Sequence, residues 1–207
     1  MFTRSGGFRV LAVVIASMAL AAVSCDSMGK DKSGTSKSSS SGMQAGGEMK
    51  NVAVAQIKPS RAATTQPSNN NVGGTVTFTQ TAPDTIAVMV DLTGLAPNTK
   101  HGFHIHEKGD LSAPDLSSAG GHFNPAGHKH GGPDSSMSHA GDLGNVTSDA
   151  DGKVKAEMTI HGVTMDKSNT GILGRSVVVH AKEDDLKSDP AGNSGSRIAA
   201  GVIEMKS

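Results

Sequence analysis

The chain has 207 residues, room for one domain with extra segments, and it carries 26 Gly and five Phe but no Trp or Tyr. A core so poor in aromatics must be built from Val, Ile, Leu, Ala and Met, and short β-branched stretches broken by Gly suit a sandwich or barrel rather than a helix bundle. Formal charge is zero overall, yet residues 51–207 hold 13 Lys and Arg against 16 Asp and Glu, a net of −3. That balance excludes the basic face of a nucleic-acid binder, and an anionic substrate would have to be drawn in by local positive charge.

Arg4 and Arg9 precede an apolar run over 10–23, the basic region and short hydrophobic stretch of a secretory signal. Fourteen residues are too few to span a bilayer, which takes about 20. The run ends in Ala22-Val23-Ser24-Cys25, which resembles a bacterial lipobox, with Ala22 where that motif prefers Leu. The alternative is a plain signal cut after Ala21, but the chain's one cysteine falls at this spot. A lipoprotein signal over 1–24 and lipidation of Cys25 are therefore expected. They would leave the protein anchored to a membrane of the cell envelope, facing the periplasm or the exterior. Residues 25–50 are rich in Ser, Gly and Lys and cannot bury a core, so they read as a flexible tether of about 25–30 Å.

Beyond residue 50, strands are predicted over 51–58, 73–80, 85–92, 100–107, 142–149, 153–161, 176–182 and 198–205. Alternation is clearest in Thr75-Val76-Thr77-Phe78-Thr79 and in Lys153-Val154-Lys155-Ala156-Glu157-Met158, and Asp151-Gly152 marks a turn. Two stretches, 108–141 and 183–197, do not read as strands, and loops this long in a small β domain point to function.

All nine histidines lie from His101 to His180. His104 and His106 stand two apart on a predicted strand, so both rings face one way and can reach one ion. His122, His130, His139 and Asp142 follow at short intervals, and His180 closes the run Val177-Val178-Val179. Imidazole suits copper and zinc, and three His with one Asp make a plausible closed tetrahedral zinc site.

The motif His101-Gly102-Phe103-His104-Ile105-His106-Glu107 resembles the copper-ligand signature of the copper,zinc superoxide dismutases. His122-Phe123-Asn124-Pro125, Lys129-His130-Gly131-Gly132-Pro133 and His139-Ala140-Gly141-Asp142-Leu143-Gly144-Asn145-Val146 are similar to that family's zinc loop. Gly174-Arg175-Ser176-Val177-Val178-Val179-His180 and Gly192-Asn193-Ser194-Gly195-Ser196-Arg197 match its last two motifs, so the resemblance covers 51–207.

The resemblance implies an all-β, eight-stranded Greek-key barrel, a flattened sandwich with two long functional loops. It implies copper on His104, His106, His122 and His180, and zinc on His122, His130, His139 and Asp142, with His122 bridging. Asp184 would hydrogen-bond His104 and His130 from behind, and Arg197 would dock superoxide, the implied substrate. Lys187 is a weaker candidate for steering. His101 is expected to be a packed strand residue, and His128 and His161 surface residues. A homodimer fits the resemblance, but the sequence gives no sign of where two chains would meet. Leu116 and Ala200 stand where most members carry the two cysteines of an internal disulfide, which suggests that Leu116 packs against the strand around Ala200. The reading from another class is a non-catalytic copper- and zinc-binding envelope lipoprotein on the same scaffold; retention of every copper ligand and of Arg197 speaks against it.

Overall fold

Eight strands form where the sequence pattern placed them, each within two residues of its expected bounds at either end. They are β1 Val52–Pro59, β2 Gly73–Ala82, β3 Thr85–Thr93, β4 Lys100–His106, β5 Asp142–Thr147, β6 Val154–His161, β7 Ser176–His180 and β8 Arg197–Met205. The computed structural model describes residues 51–63 and 71–207; the signal, Cys25 and the tether expected over 1–50 lie outside the described residues.

Every strand pairing is antiparallel, in the order β5-β4-β7-β8-β1-β2-β3-β6, a nearly closed barrel. Connections β3 to β4 and β6 to β7 cross between strands that are not neighbours, as the Greek key requires. The inward set is aliphatic: Ala53, Ala55 and Ile57 from β1, Val76 and Phe78 from β2, Ile86, Val88 and Val90 from β3, Phe103 and Ile105 from β4, Val177 and Val179 from β7. Each fully buried Val, Ile or Phe contributes about 1.5–3 kcal/mol, which is how the barrel holds without Trp or Tyr.

β4 and β5 are hydrogen-bonded neighbours, as are β7 and β8. Neighbouring antiparallel strands need a connection of only two residues, yet these pairs are joined by 107–141 and 181–196. The surplus chain folds over the outer face of β4 and β7. β4 is consequently buried at all but its first residue, while β3 alternates buried and exposed. A third connection, 162–175, spans the stretch the predicted strands left between them; Val163, Met165 and Ile172 from it join the core.

Leu116, within the first long loop, forms a small cluster with Val178 and Ala200, apart from the main core, with Leu111 packed against it. The pairing of Val178 with Ala200 across β7 and β8 puts both on the outer face. The expected apolar contact therefore exists where a disulfide would otherwise tie loop to strand.

Candidate metal centre

Register decides which face carries the histidines. His104 pairs with Val178 and His106 with Ser176, so His104, His106 and His180 share the outer face of β4 and β7, opposite Phe103, Ile105 and Val179. The loop 107–141 brings His122 over them through a bridge between His106 and His122, then returns His130, His139 and Asp142. Two groups result: His104, His106, His122 and His180; and His122, His130, His139 and Asp142. In each, one donor atom per residue lies within 4.8 Å of the others, and all seven residues are buried.

Hydrogen bonds on the far side of each ring determine which nitrogen is free. His106 Nδ1 donates to the Gly120 carbonyl at 3.0 Å, and His180 Nδ1 faces Ser194 Oγ at 3.0 Å and the Gly195 carbonyl at 3.2 Å. Their Nε2 atoms face one another at 3.3 Å. Asp184 binds His104 Nε2 at 2.7 Å and His130 Nε2 at 2.9 Å, one oxygen each, leaving the Nδ1 of both rings for the interior. Buried nitrogens without a hydrogen-bond partner are rare, and here there are three, His104 Nδ1, His122 Nε2 and His130 Nδ1, the last close to Asp142 Oδ1 without forming a hydrogen bond to it. Three such nitrogens among buried ligand-type side chains call for a cation.

In the second group Asp142 Oδ2 accepts from the backbone N–H of Gly131 and of His139, both at 3.0 Å. Oδ1 is thereby turned to His122 Nδ1 at 2.8 Å, His130 Nδ1 at 3.1 Å and His139 Nδ1 at 3.2 Å. A tetrahedral zinc with bonds of about 2.0–2.1 Å has ligand–ligand edges of about 3.3 Å. The donor set and spacing fit zinc, and the four-imidazole set fits copper.

Electrostatics agree. Burial holds His104 well below the ordinary histidine value, His180 at about 4 and His106 at about 2, each pushed further by neighbouring imidazoles; Arg197 adds to the effect on the last two. All three are neutral at physiological pH, the state a ligand needs. Burial works to raise Asp142, but the His122 hydrogen bond and the Gly131 N–H prevail, so it is held below its usual value.

Arg197 donates Nη1 to the Leu116 carbonyl and Nη2 to the Gly120 carbonyl, both at 2.6 Å. Gly120 also accepts from His106, so the guanidinium stands one carbonyl away from the four-imidazole group. Burial lowers its pKa somewhat, and it remains charged.

His101 is buried, with Nδ1 on the His180 carbonyl and Nε2 on Thr99 Oγ1, and belongs to neither group. His128 is half-buried, and His161 and Lys187 are exposed. Sequence reasoning assigned no role to three supports. Asn145 Oδ1 accepts the Asp184 N–H at 2.8 Å and its Nδ2 donates back to the Asp184 carbonyl at 2.9 Å. Gly192 has φ +61, and a Cβ there would sit 1.7 Å from Asp184 Oδ1, so only glycine fits. The Arg175 guanidinium lies 3.7 Å over the Phe123 ring, beside His122. Asn145, Gly192 and Arg175 all stand inside the recognised motifs, but only packing reveals what each one holds.

The family model for copper/zinc superoxide dismutase (SODC) matches residues 72–203. The superoxide dismutase [Cu-Zn] of Paramecium bursaria Chlorella virus 1 is 45% identical over 138 residues, covering 64% of this chain and 72% of its own. The extracellular superoxide dismutase [Cu-Zn] of Drosophila melanogaster is 46% identical over 148 residues, covering 68% and 80%. A crystal structure of the clock protein EA4 superposes with a TM-score of 0.65 at 37% identity, over 76% of this chain and 96% of that one. An eight-stranded antiparallel barrel carrying two adjoining groups of side chains that could hold metal, in a chain similar to these proteins, defines the class, a copper/zinc-type oxidoreductase. The chain belongs to the copper/zinc superoxide dismutase family, whose cofactors are copper and zinc and whose substrate is superoxide.

Proposed function

We propose that this chain dismutates superoxide at a bridged centre, with copper in the four-imidazole group and zinc in the His₃Asp group. The observation that carries the reading is His122, whose Nδ1 lies in one group and whose unpartnered Nε2 lies in the other. When bound, copper supplies one-electron chemistry, oxidising one superoxide to dioxygen and reducing the next to peroxide, and zinc supplies a fixed positive charge beside the shared ring.

The protein's own residues do the rest. His122 Nε2 would take up a proton from solvent when it is not serving as a ligand and hand it to the departing peroxide, while Asp142 and the two N–H groups behind it keep the ring in place. Asp184, itself gripped by Asn145, orients one ring from each group, so the two sites cannot shift independently. Arg197 draws in the anion: opposite unit charges about 5 Å apart at an effective dielectric of about 20 attract by about 3 kcal/mol. This local attraction is needed because residues 51–207 carry a net charge of −3.

The decisive experiment is metal analysis and a dismutase assay on wild type and His122→Ala. The wild type should hold one copper and one zinc and be active, and the variant should lose activity and alter both metal spectra. A variant with normal spectra at both sites would overturn the shared role of His122.

The second part of the proposal is an envelope location, with a lipid on Cys25 and residues 26–50 as tether, protecting the envelope from superoxide. It is supported by the basic, apolar and Cys-containing pattern of the first 25 residues. Cys25→Ser should move the protein out of the membrane fraction or block its maturation; a wild-type mature N-terminus at Ala22 would refute it.

A further inference from the structure

We propose that Leu116 and the segment at 60–63 act as a non-covalent clamp that positions Arg197. The inference rests on the reading of Arg197 as the anion dock. Leu116 has φ 63 and ψ 17, a left-handed conformation that a leucine does not adopt without restraint. That conformation is coupled to the Arg197 contact, because the Leu116 carbonyl accepts Nη1 at 2.6 Å.

Two sets of contacts hold it. The Leu116 side chain is seated on Val178 of β7 and on Ala200 of β8, the strand that Arg197 begins. The backbone ahead of it is gripped by the segment following β1: Ala62 N–H donates to the Pro114 carbonyl at 2.9 Å, and the Arg61 guanidinium donates to the Ser112 carbonyl. That same segment is tied to β8, since Ser60 N–H donates to the Ile198 carbonyl at 2.8 Å. Ile198 is the residue after Arg197. The contacts close a ring running from Ile198 through Ser60, Ala62, Pro114 and Leu116 back to Arg197. The ring is fastened by one apolar plug and backbone hydrogen bonds, with no covalent tie, and it fixes where the guanidinium points. Leu116 and Arg61 touch neither metal group nor substrate, so both are positioning residues.

Two readouts on the metal-loaded protein test this. One is affinity for azide, a small anion, followed by titration of the copper absorption band. The other is the rate at which phenylglyoxal modifies Arg197, followed by peptide mass mapping, which needs no activity and no anion. Leu116→Ala should weaken azide binding and speed modification of Arg197, each by about 3- to 30-fold, since small misplacements of a docking group cost up to about 100-fold. Arg61→Ala should act in the same direction by about 2- to 5-fold, and Leu116→Met, close in volume, should stay near wild type. Metal content should not change in any of them.

If Leu116→Ala and Arg61→Ala lower thermal stability but leave both readouts at wild-type values, the clamp is merely structural and the proposal falls. If Leu116→Ala does not fold or load metal, Arg61→Ala decides alone, because Arg61 is exposed. Arg197→Ala separates the two readings: unchanged azide affinity in that variant would remove the docking role, while the modification rates in the other variants would still test the clamp.

Discussion

The two halves of the barrel are built on the same alternation and put it to opposite uses. In β2, β3 and β6 the outward positions are Thr75, Thr77, Met89, Asp91, Lys155 and Glu157, which meet solvent or stay half-covered. In β4 and β7 the outward positions are His104, His106 and His180, all buried, because two loops longer than any hairpin needs are folded over them. A strand face is inert when water is its only neighbour. Once covered, the same geometry becomes a dry, pre-oriented ligand set. The sharpest test of this contrast is whether changes on the covered face travel and changes on the open face do not.

The largest effect should come from Asp184→Ala, which removes the acceptor from His104 Nε2 and His130 Nε2 at once. Loss of such a support lowers metal affinity by about 10–100-fold, and here both metals should weaken together in competition titrations with a chelator. If only one weakened, the two sites would not be mechanically coupled.

Removing both metals should separate the halves in hydrogen exchange. Amides over 111–140 should exchange much faster without metal, while β2 and β3 stay protected. A metal-free loop as protected as the loaded one would show that packing, chiefly the Leu116 plug, holds it unaided.

Acid should act on the covered half alone. In the metal-free protein His104, His106 and His180 are held neutral, well below their unfolded value near 6.5, first of all by burial. The unfolded chain takes up protons that the folded chain refuses. Stability is therefore full above about pH 6.5 and falls as pH drops toward about 4, where His180 titrates, and on toward the lower values of the others. Each such group contributes up to about 1.4 kcal/mol per pH unit in that window. His130, raised despite its burial by Asp184 and Asp142, works against this trend; thermal midpoints of the metal-free protein should still fall between pH 7.5 and 4.5, and a rise would contradict neutral burial of the other three.

The smallest effect belongs to the open face. Lys155 and Asp91 pair at 2.9 Å, both well exposed, and exposed pairs of this kind contribute about 0–1 kcal/mol. Lys155→Ala should leave activity and metal content unchanged and shift stability by no more than that.

All eight strands were legible in the sequence, β2 and β6 from clear period-two alternation and the others from short β-branched runs bounded by turn signals. The ligand set was legible too: His104 and His106 at i and i+2, the close series from His122 to Asp142, and His180 at a strand end are a local pattern that chemistry demands. Asn145, Gly192 and Gly120 were not, because each acts through a contact that only the closing of the loops over the barrel brings about. The same holds for the segment at 60–63, whose sequence carries no sign that it would meet Pro114 or Ile198. Residue type and spacing determined which side chains could bind metal and which strands could carry them. Tertiary structure alone decided which ring nitrogen faces inward, that His122 belongs to both groups, and that Leu116 offers its carbonyl to Arg197. Those outcomes depend on register and on loop closure across the barrel, where the partner on the other side of each hydrogen bond is chosen by packing and not by neighbours in the chain.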